Sequence, residues 1–291
     1  MLKIKSDQAQ RTMAATHPPV ATVQPGEIFK LAVQDCYSGR LQSPDDKFTR
    51  EMWDSVNPAT GPVYIADMAP GDVLRVEILA ISVRDFAVMC LEPGSGALGR
   101  FIPEAETTIL PIRDGRLILD HGLELPLNPM IGVIGTAPAG EPILNGTPGE
   151  HGGNMDCNLI TAGAVVYLPV QAPGALLSMG DLHALMGDGE VCICGAEVAG
   201  EITLRAGPGD RHIPTPCVET ADHFHFLASA LTLDECEPLV LEKAHRFLTN
   251  GGITPNAAAR RMSLLGQLGV CQVVDPLKTM RFSLPKLALG K

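Results

Sequence analysis

Apolar and polar residues alternate in short runs over the first two-thirds of the chain. In LRVEI, Leu74, Val76 and Ile78 fall on one side and Arg75 and Glu77 on the other. That is the period of a half-buried strand. The same alternation runs through EITLRA (Glu201 to Ala206) and, less cleanly, through IFKLAVQD (Ile28 to Asp35). Two of these runs are entered in the same way. QPGEIFKLAV (Gln24 to Val33) and APGDVLRVEI (Ala69 to Ile78) both place Pro-Gly-acid before the alternating residues. A Pro-Gly turn feeding a strand explains this, since proline presets φ and glycine accepts a positive φ. GPGDRHI (Gly207 to Ile213) carries the same turn without so clean a strand behind it.

Near the C-terminus the apolar period lengthens. LDECEPLVLEKAHRFLTNGG (Leu233 to Gly252) spaces Leu239, Leu241, His245 and Leu248 for one helical face, and Asn250-Gly251-Gly252 is a stop. TPNAAARRMSLLGQLG (Thr254 to Gly269) opens with Thr254 as N-cap and Pro255 at the first helical position. GVCQVV then reads as a strand and DPL as a turn. The expected class is α+β, predominantly β. A β-sandwich or barrel-like body of short strands would occupy residues 1–230, open to division into two packed β-units. A smaller helical C-terminal part, 231–291, would pack on the same body.

Composition narrows the function classes. The 291 residues include 30 glycines and 24 prolines, which cut the body into short segments, and 45% are hydrophobic, a globular proportion. A formal net charge of −11 argues against a nucleic-acid partner, which needs a basic footprint. The most apolar region, LITAGAVVYLPVQAPGALLSMG, is broken by Pro169 and Pro173 and is no membrane helix. MLKIKSDQAQRTMAAT lacks the apolar stretch of a secretory signal, and most of the eight cysteines sit singly, so a cytoplasmic protein with reduced thiols is expected.

Three segments collect the unusual polar groups. GEHGGNMDC holds Glu150, His151, Asn154 and Asp156; MGDLHALMGDGEVCICG holds Asp181, His183, Asp188 and Glu190; ETADHFHF holds Asp222, His223 and His225. In an extended chain residues two apart share a face, which pairs Asp181 with His183 and Asp188 with Glu190. Carboxylates and a neutral imidazole at fixed angles suit a divalent cation, and two such groups suit two cations. Each fragment alone has a plainer reading. HGGN is a glycine turn, Asp-x-His a solvated pair, and His223-x-His225 between Phe224 and Phe226 an alternating strand. Cys192 and Cys194 would share a face with Glu190 if the strand continued, as zinc thiolates or as reduced core cysteines.

As one continuous stretch, EHGGNMDCNLITAGAVVYLPVQAPGALLSMGDLHALMGDGEV resembles the acetamidase/formamidase family in order and spacing. ATGPVYIADMAPGDVLRVEIL (Ala59 to Leu79) and GVIGTAPA (Gly132 to Ala139) are similar to the same family. The resemblance implies a β-rich fold and hydrolysis of a small aliphatic amide, formamide or acetamide, to carboxylate and ammonia. It implies a dinuclear metal site with zinc and calcium as the ions, and a homodimer. On matching positions, Asn154, Asp156, Asp181 and His183 become metal ligands and Glu190 a ligand or proton shuttle. His151 becomes a second group for proton transfer or substrate orientation, and Gly152 and Gly153 let backbone approach a very small substrate. No Gly-x-Ser-x-Gly elbow accompanies these residues. Two other readings stand beside this one: a Cys157 thiol nucleophile, and a non-catalytic metal or small-ligand binding protein on the same scaffold.

Overall fold

The computed structural model describes residues 1–290, with Arg50 and Asp54 by their backbone only. Strands make up 40% of it and two helices 15%, so the predominantly β, α+β class is the one observed. Among the described residues the sheets are open, and the body is a sandwich rather than a barrel.

One sheet has nine strands. Its order is Leu2–Ile4, Ile28–Val33, Gly200–Pro208, Val73–Val83, Val165–Pro169, Cys217–Glu219, His223–Ala230, Lys278–Pro285 and Gln267–Gln272. Both Pro-Gly-acid turns feed it, with Gly26 at φ 80° and Gly71 at φ 94°, values glycine adopts without a Cβ clash. The acids close the turns: Glu27 accepts from the Gln24 N–H at 3.0 Å and Asp72 from the Ala69 N–H at 2.8 Å. The two strands that follow pair on opposite edges of Gly200–Pro208. The third turn is built differently, its Asp210 accepting from the N–H of His212.

The second sheet has eleven strands, and from its middle to one edge it runs Phe86–Leu91, Glu197–Val198, Leu177–His183, Met130–Gly135, Gly152–Asn154. Leu74, Val76 and Ile78 from the first sheet pack with Ile131, Ile134 and Leu182 from the second in one buried cluster. Burying such side chains contributes about 1.5–3 kcal/mol each and holds the two faces together.

Helix α1 spans Leu233–Asn250 and begins in a capping box between Thr232 and Glu235. Its buried face is Cys236, Val240, Lys243, Ala244 and Leu248, whereas Leu239 is 39% exposed. Of the expected face, Leu239, Leu241, His245 and Leu248, only Leu248 is fully buried and Leu241 packs at its margin, so the true face is turned by about one residue. Helix α2, Pro255–Leu265, starts on Pro255 as expected, but Thr254 makes no side-chain cap bond. It stops earlier than the pattern implied. A Cβ at Gly266 would run into the Phe282 ring, and Gln267 already begins an edge strand of the nine-stranded sheet. The C-terminal part is thus two helices plus two strands that complete a sheet of the body. No helix among the described residues is long and apolar enough to cross a membrane.

Candidate active site

The acids gather where Leu177–His183 runs antiparallel to Met130–Gly135 on one side and to Glu197–Val198 on the other. Asp181 and His183 share a face, with Asp181 Oδ1 3.5 Å from His183 Nε2. His183 stands opposite Glu197 in the register, placing Glu197 Oε1 3.0 Å from the same nitrogen. Glu190 Oε1 lies 3.9 Å from it. Asp156, His183 and Glu190 each offer a ligand atom within 4.8 Å of the others, and all three are buried.

The backbone is strained to bring them there. Asp156, Asp181 and Glu190 have φ of 42°, 57° and 48°. Such left-handed conformations cost a non-glycine residue about 1–3 kcal/mol and persist where the surroundings impose them. Space for two of these acids comes from Gly132, where a Cβ would collide with Asp156 Oδ1 and lie 2.7 Å from Asp181 Oδ2. Glu190 is reached through the GDGE loop, which is stitched to the C-terminal edge strand. The Gly189 N–H donates to Cys271 O at 2.8 Å and the Val273 N–H donates to Gly189 O at 3.1 Å.

A cavity of about 360 Å³ opens onto Asn154, Asp181, Glu190 and Glu197. Tyr37, Phe48 and Trp53 form an apolar wall of it, and Asp275 completes the polar floor. Asp275 comes from the stretch first read only as a turn. Its backbone N–H, and that of Val274, donate to Gln272 Oε1, while Asn154 Nδ2 donates to Asp275 Oδ2 at 3.0 Å. Sequence reasoning missed both Glu197 and Asp275. Glu197 sits two residues past Gly195 in an otherwise apolar run, and only the cross-strand register shows its partner.

Other expected residues lie elsewhere. Gly152 and Gly153 do not line the cavity. The room they leave is filled by the protein's own backbone, since a Cβ on Gly152 would strike Ile134 O and one on Gly153 would strike Thr147 O. His151 is buried against its own loop, with its Nε2 without a hydrogen-bond partner, and burial lowers its pKa to about 4. Asp188 points away from Glu190 and forms a two-pronged bond with Arg281, at 3.0 and 2.6 Å. After Glu190 the chain turns rather than continuing as a strand, so Cys192 and Cys194 do not extend its face; the Cys194 thiol donates to Cys90 O. His225 is an ordinary strand residue, bonded to Thr220 and Ser283.

Among the described residues, ten buried side-chain polar atoms lack a hydrogen-bond partner, and eight of them belong to Asn154, Asp156, Asp181, His183, Glu190 and Glu197. Buried polar atoms are almost always paired, and buried charges cost several kcal/mol unless neutralised. Burial, reinforced by Asp181, raises the Asp156 and Glu197 carboxyls to about 7. Burial and then Asp156 push Glu190 and Asp275 well above the carboxylate range. Burial disfavours the imidazolium of His183, but Glu197 and Asp181 outweigh it and hold that ring well above its ordinary value. Unpartnered carboxylate oxygens that repel one another when ionised, gathered with one imidazole, make a donor set suited to a divalent cation. The residues fit that group.

A model of the acetamidase/formamidase family matches residues 3–145 and 141–207. The crystal structure of an acetamidase from Bacillus halodurans superposes with a TM-score of 0.95 at 43% identity, covering 98% of this chain and 97% of that one. A predicted acetamidase/formamidase from Thermoanaerobacter tengcongensis gives 0.95 at 40% identity over 99% and 97%. A formamidase from Methylophilus methylotrophus is 28% identical over 249 residues, 65% of this chain. That match spans 61% of the formamidase's length.

Proposed function

Because the chain belongs to the acetamidase/formamidase family, we propose that it hydrolyses the C–N bond of a small linear amide, formamide or acetamide, to carboxylate and ammonia. The observation that carries this reading is the set of eight unpartnered buried atoms, four of them on the cavity-lining Asn154, Asp181, Glu190 and Glu197 and four on Asp156 and His183 behind them.

Asp156, Asp181, His183, Glu190 and Glu197 would hold divalent cations, zinc and calcium, with the Asn154 carbonyl oxygen beside them. Such cations supply a Lewis acid for the amide carbonyl and make water a stronger nucleophile at neutral pH. The protein's own groups do the rest. The apolar wall of Tyr37, Phe48 and Trp53 limits bulk water around the amide. Glu197 Oε1 stands within ion-pair reach of the His183 ring, 3.0 Å from Nε2. Asn154 is fixed in turn by its bond to Asp275. As water adds to the carbonyl carbon, Glu190 takes its proton. Glu190 then returns it to the amide nitrogen, the C–N bond breaks, and ammonia leaves. A Cys157 nucleophile lacks access: its side chain is fully buried and outside the cavity lining.

The test is ammonia release. Protein loaded with zinc and calcium should liberate ammonia and an equimolar carboxylate from formamide or acetamide. Tight metal binding with no release from any small amide would leave a binding protein instead.

A further inference from the structure

A second donor group abuts the first. Cys36, Asp181 and Glu197 also offer ligand atoms within 4.8 Å of one another, all buried. Cys36 follows the Ile28–Val33 strand of the nine-stranded sheet, so it comes from the other sheet to stand beside these acids in the cavity wall. Its neighbour Asp35 is not available, because its Oδ1 accepts the Gly39 N–H at 2.8 Å. The other cavity-lining thiol, Cys90, pairs with Thr107. Asp181 Oδ1 and Glu197 Oε2, 3% and 2% exposed as residues, have no hydrogen-bond partner. The two groups touch through Asp181 and His183, 3.5 Å apart.

We propose that Cys36 is a thiolate ligand, so that Cys36, Asp181 and Glu197 form a position for a borderline cation such as zinc. Asp156, His183 and Glu190 form a sulfur-free position beside it. This rests on the cation reading above and adds to it a chemical inequality between the two positions. Oxygen donors accept calcium or zinc, but sulfur selects against calcium. The thiol proton leaves to solvent as the sulfur–metal bond forms.

Zinc K-edge X-ray absorption on the full, zinc-loaded chain decides it without turnover. One sulfur scatterer at about 2.3 Å is expected. It should vanish in Cys36→Ser and persist in Cys194→Ser. Bound zinc with only nitrogen and oxygen neighbours in the unmodified protein overturns the proposal, as does a sulfur signal that survives Cys36→Ser. The unmodified protein carries the first of these outcomes even if the variant does not fold. A chain that binds no zinc loses both the ligand and the cation reading. A chain that shows the sulfur but releases no ammonia loses only the hydrolase reading.

Discussion

At the scale of single residues, Glu190 and His225 show two opposite uses of burial. Glu190 is held at φ 48° on the cavity floor, where its carboxylate can receive and return a proton. Glu190→Gln keeps the shape and removes the base. Ammonia release should fall by about 10²–10⁴-fold, with metal content measured in parallel to separate loss of the base from loss of a ligand. His225 is buried for stability. Burial keeps it neutral, with its pKa lowered to about 4, between hydrogen bonds to Thr220 at 3.1 Å and Ser283 at 2.7 Å. An unfolded chain protonates this ring near pH ~6.5, the folded one only near 4, so protons favour unfolding between those values. Stability is complete above pH ~6.5 and declines as pH falls toward 4, by up to about 3 kcal/mol from this residue. Chemical denaturation across that window should be flatter for His225→Asn; an unchanged slope contradicts the assignment. The strand containing HFHF was legible from its period, whereas the polar partners of His225 came from residues 5 and 58 positions away.

At the scale of elements, the site depends on one strand making room for another. Gly132 on Met130–Gly135 faces the strained Asp181, and the ladder between the two strands lacks a pair at that position. Gly132→Ala should leave the fold intact by circular dichroism while pushing Asp156 and Asp181 apart. Metal affinity should drop by about 10- to 100-fold. Unaltered affinity would mean the two acids do not act together. The strands Leu74–Ile78 and Glu201–Ala206 were legible because each presents one buried and one wetter face. The face of α1 was legible at Leu248 but not at Leu239, because Lys243, a charged residue, is buried there. Its ammonium finds Glu150 and the Leu227 carbonyl, partners no helical period displays.

At the scale of the whole molecule, the C-terminal part belongs to the sheet and to the site. Lys278–Pro285 pairs with all eight residues of His223–Ala230, and the helices cover a second buried cluster around Phe226, Val240 and Phe282. Asp275 enters the cavity from the same segment. A chain ending at Ala230 should therefore lose cooperative thermal unfolding; a sharp melting transition by calorimetry would contradict this. Distance along the chain also explains what could be read beforehand. Asn154, Asp156, Asp181, His183 and Glu190 fall within one stretch and announce themselves by type and spacing. Cys36, Glu197 and Asp275 stand in apolar or turn-like surroundings, and only the meeting of the two sheets joins them to that stretch. The most direct measurement strips the protein of metal, confirms the loss by elemental analysis, and follows ammonia release from acetamide as zinc and calcium are restored. Activity should be absent from the stripped protein and return in proportion to bound metal. Full activity in the metal-free protein would contradict the assignment of the buried acids as a cation site that hydrolysis requires.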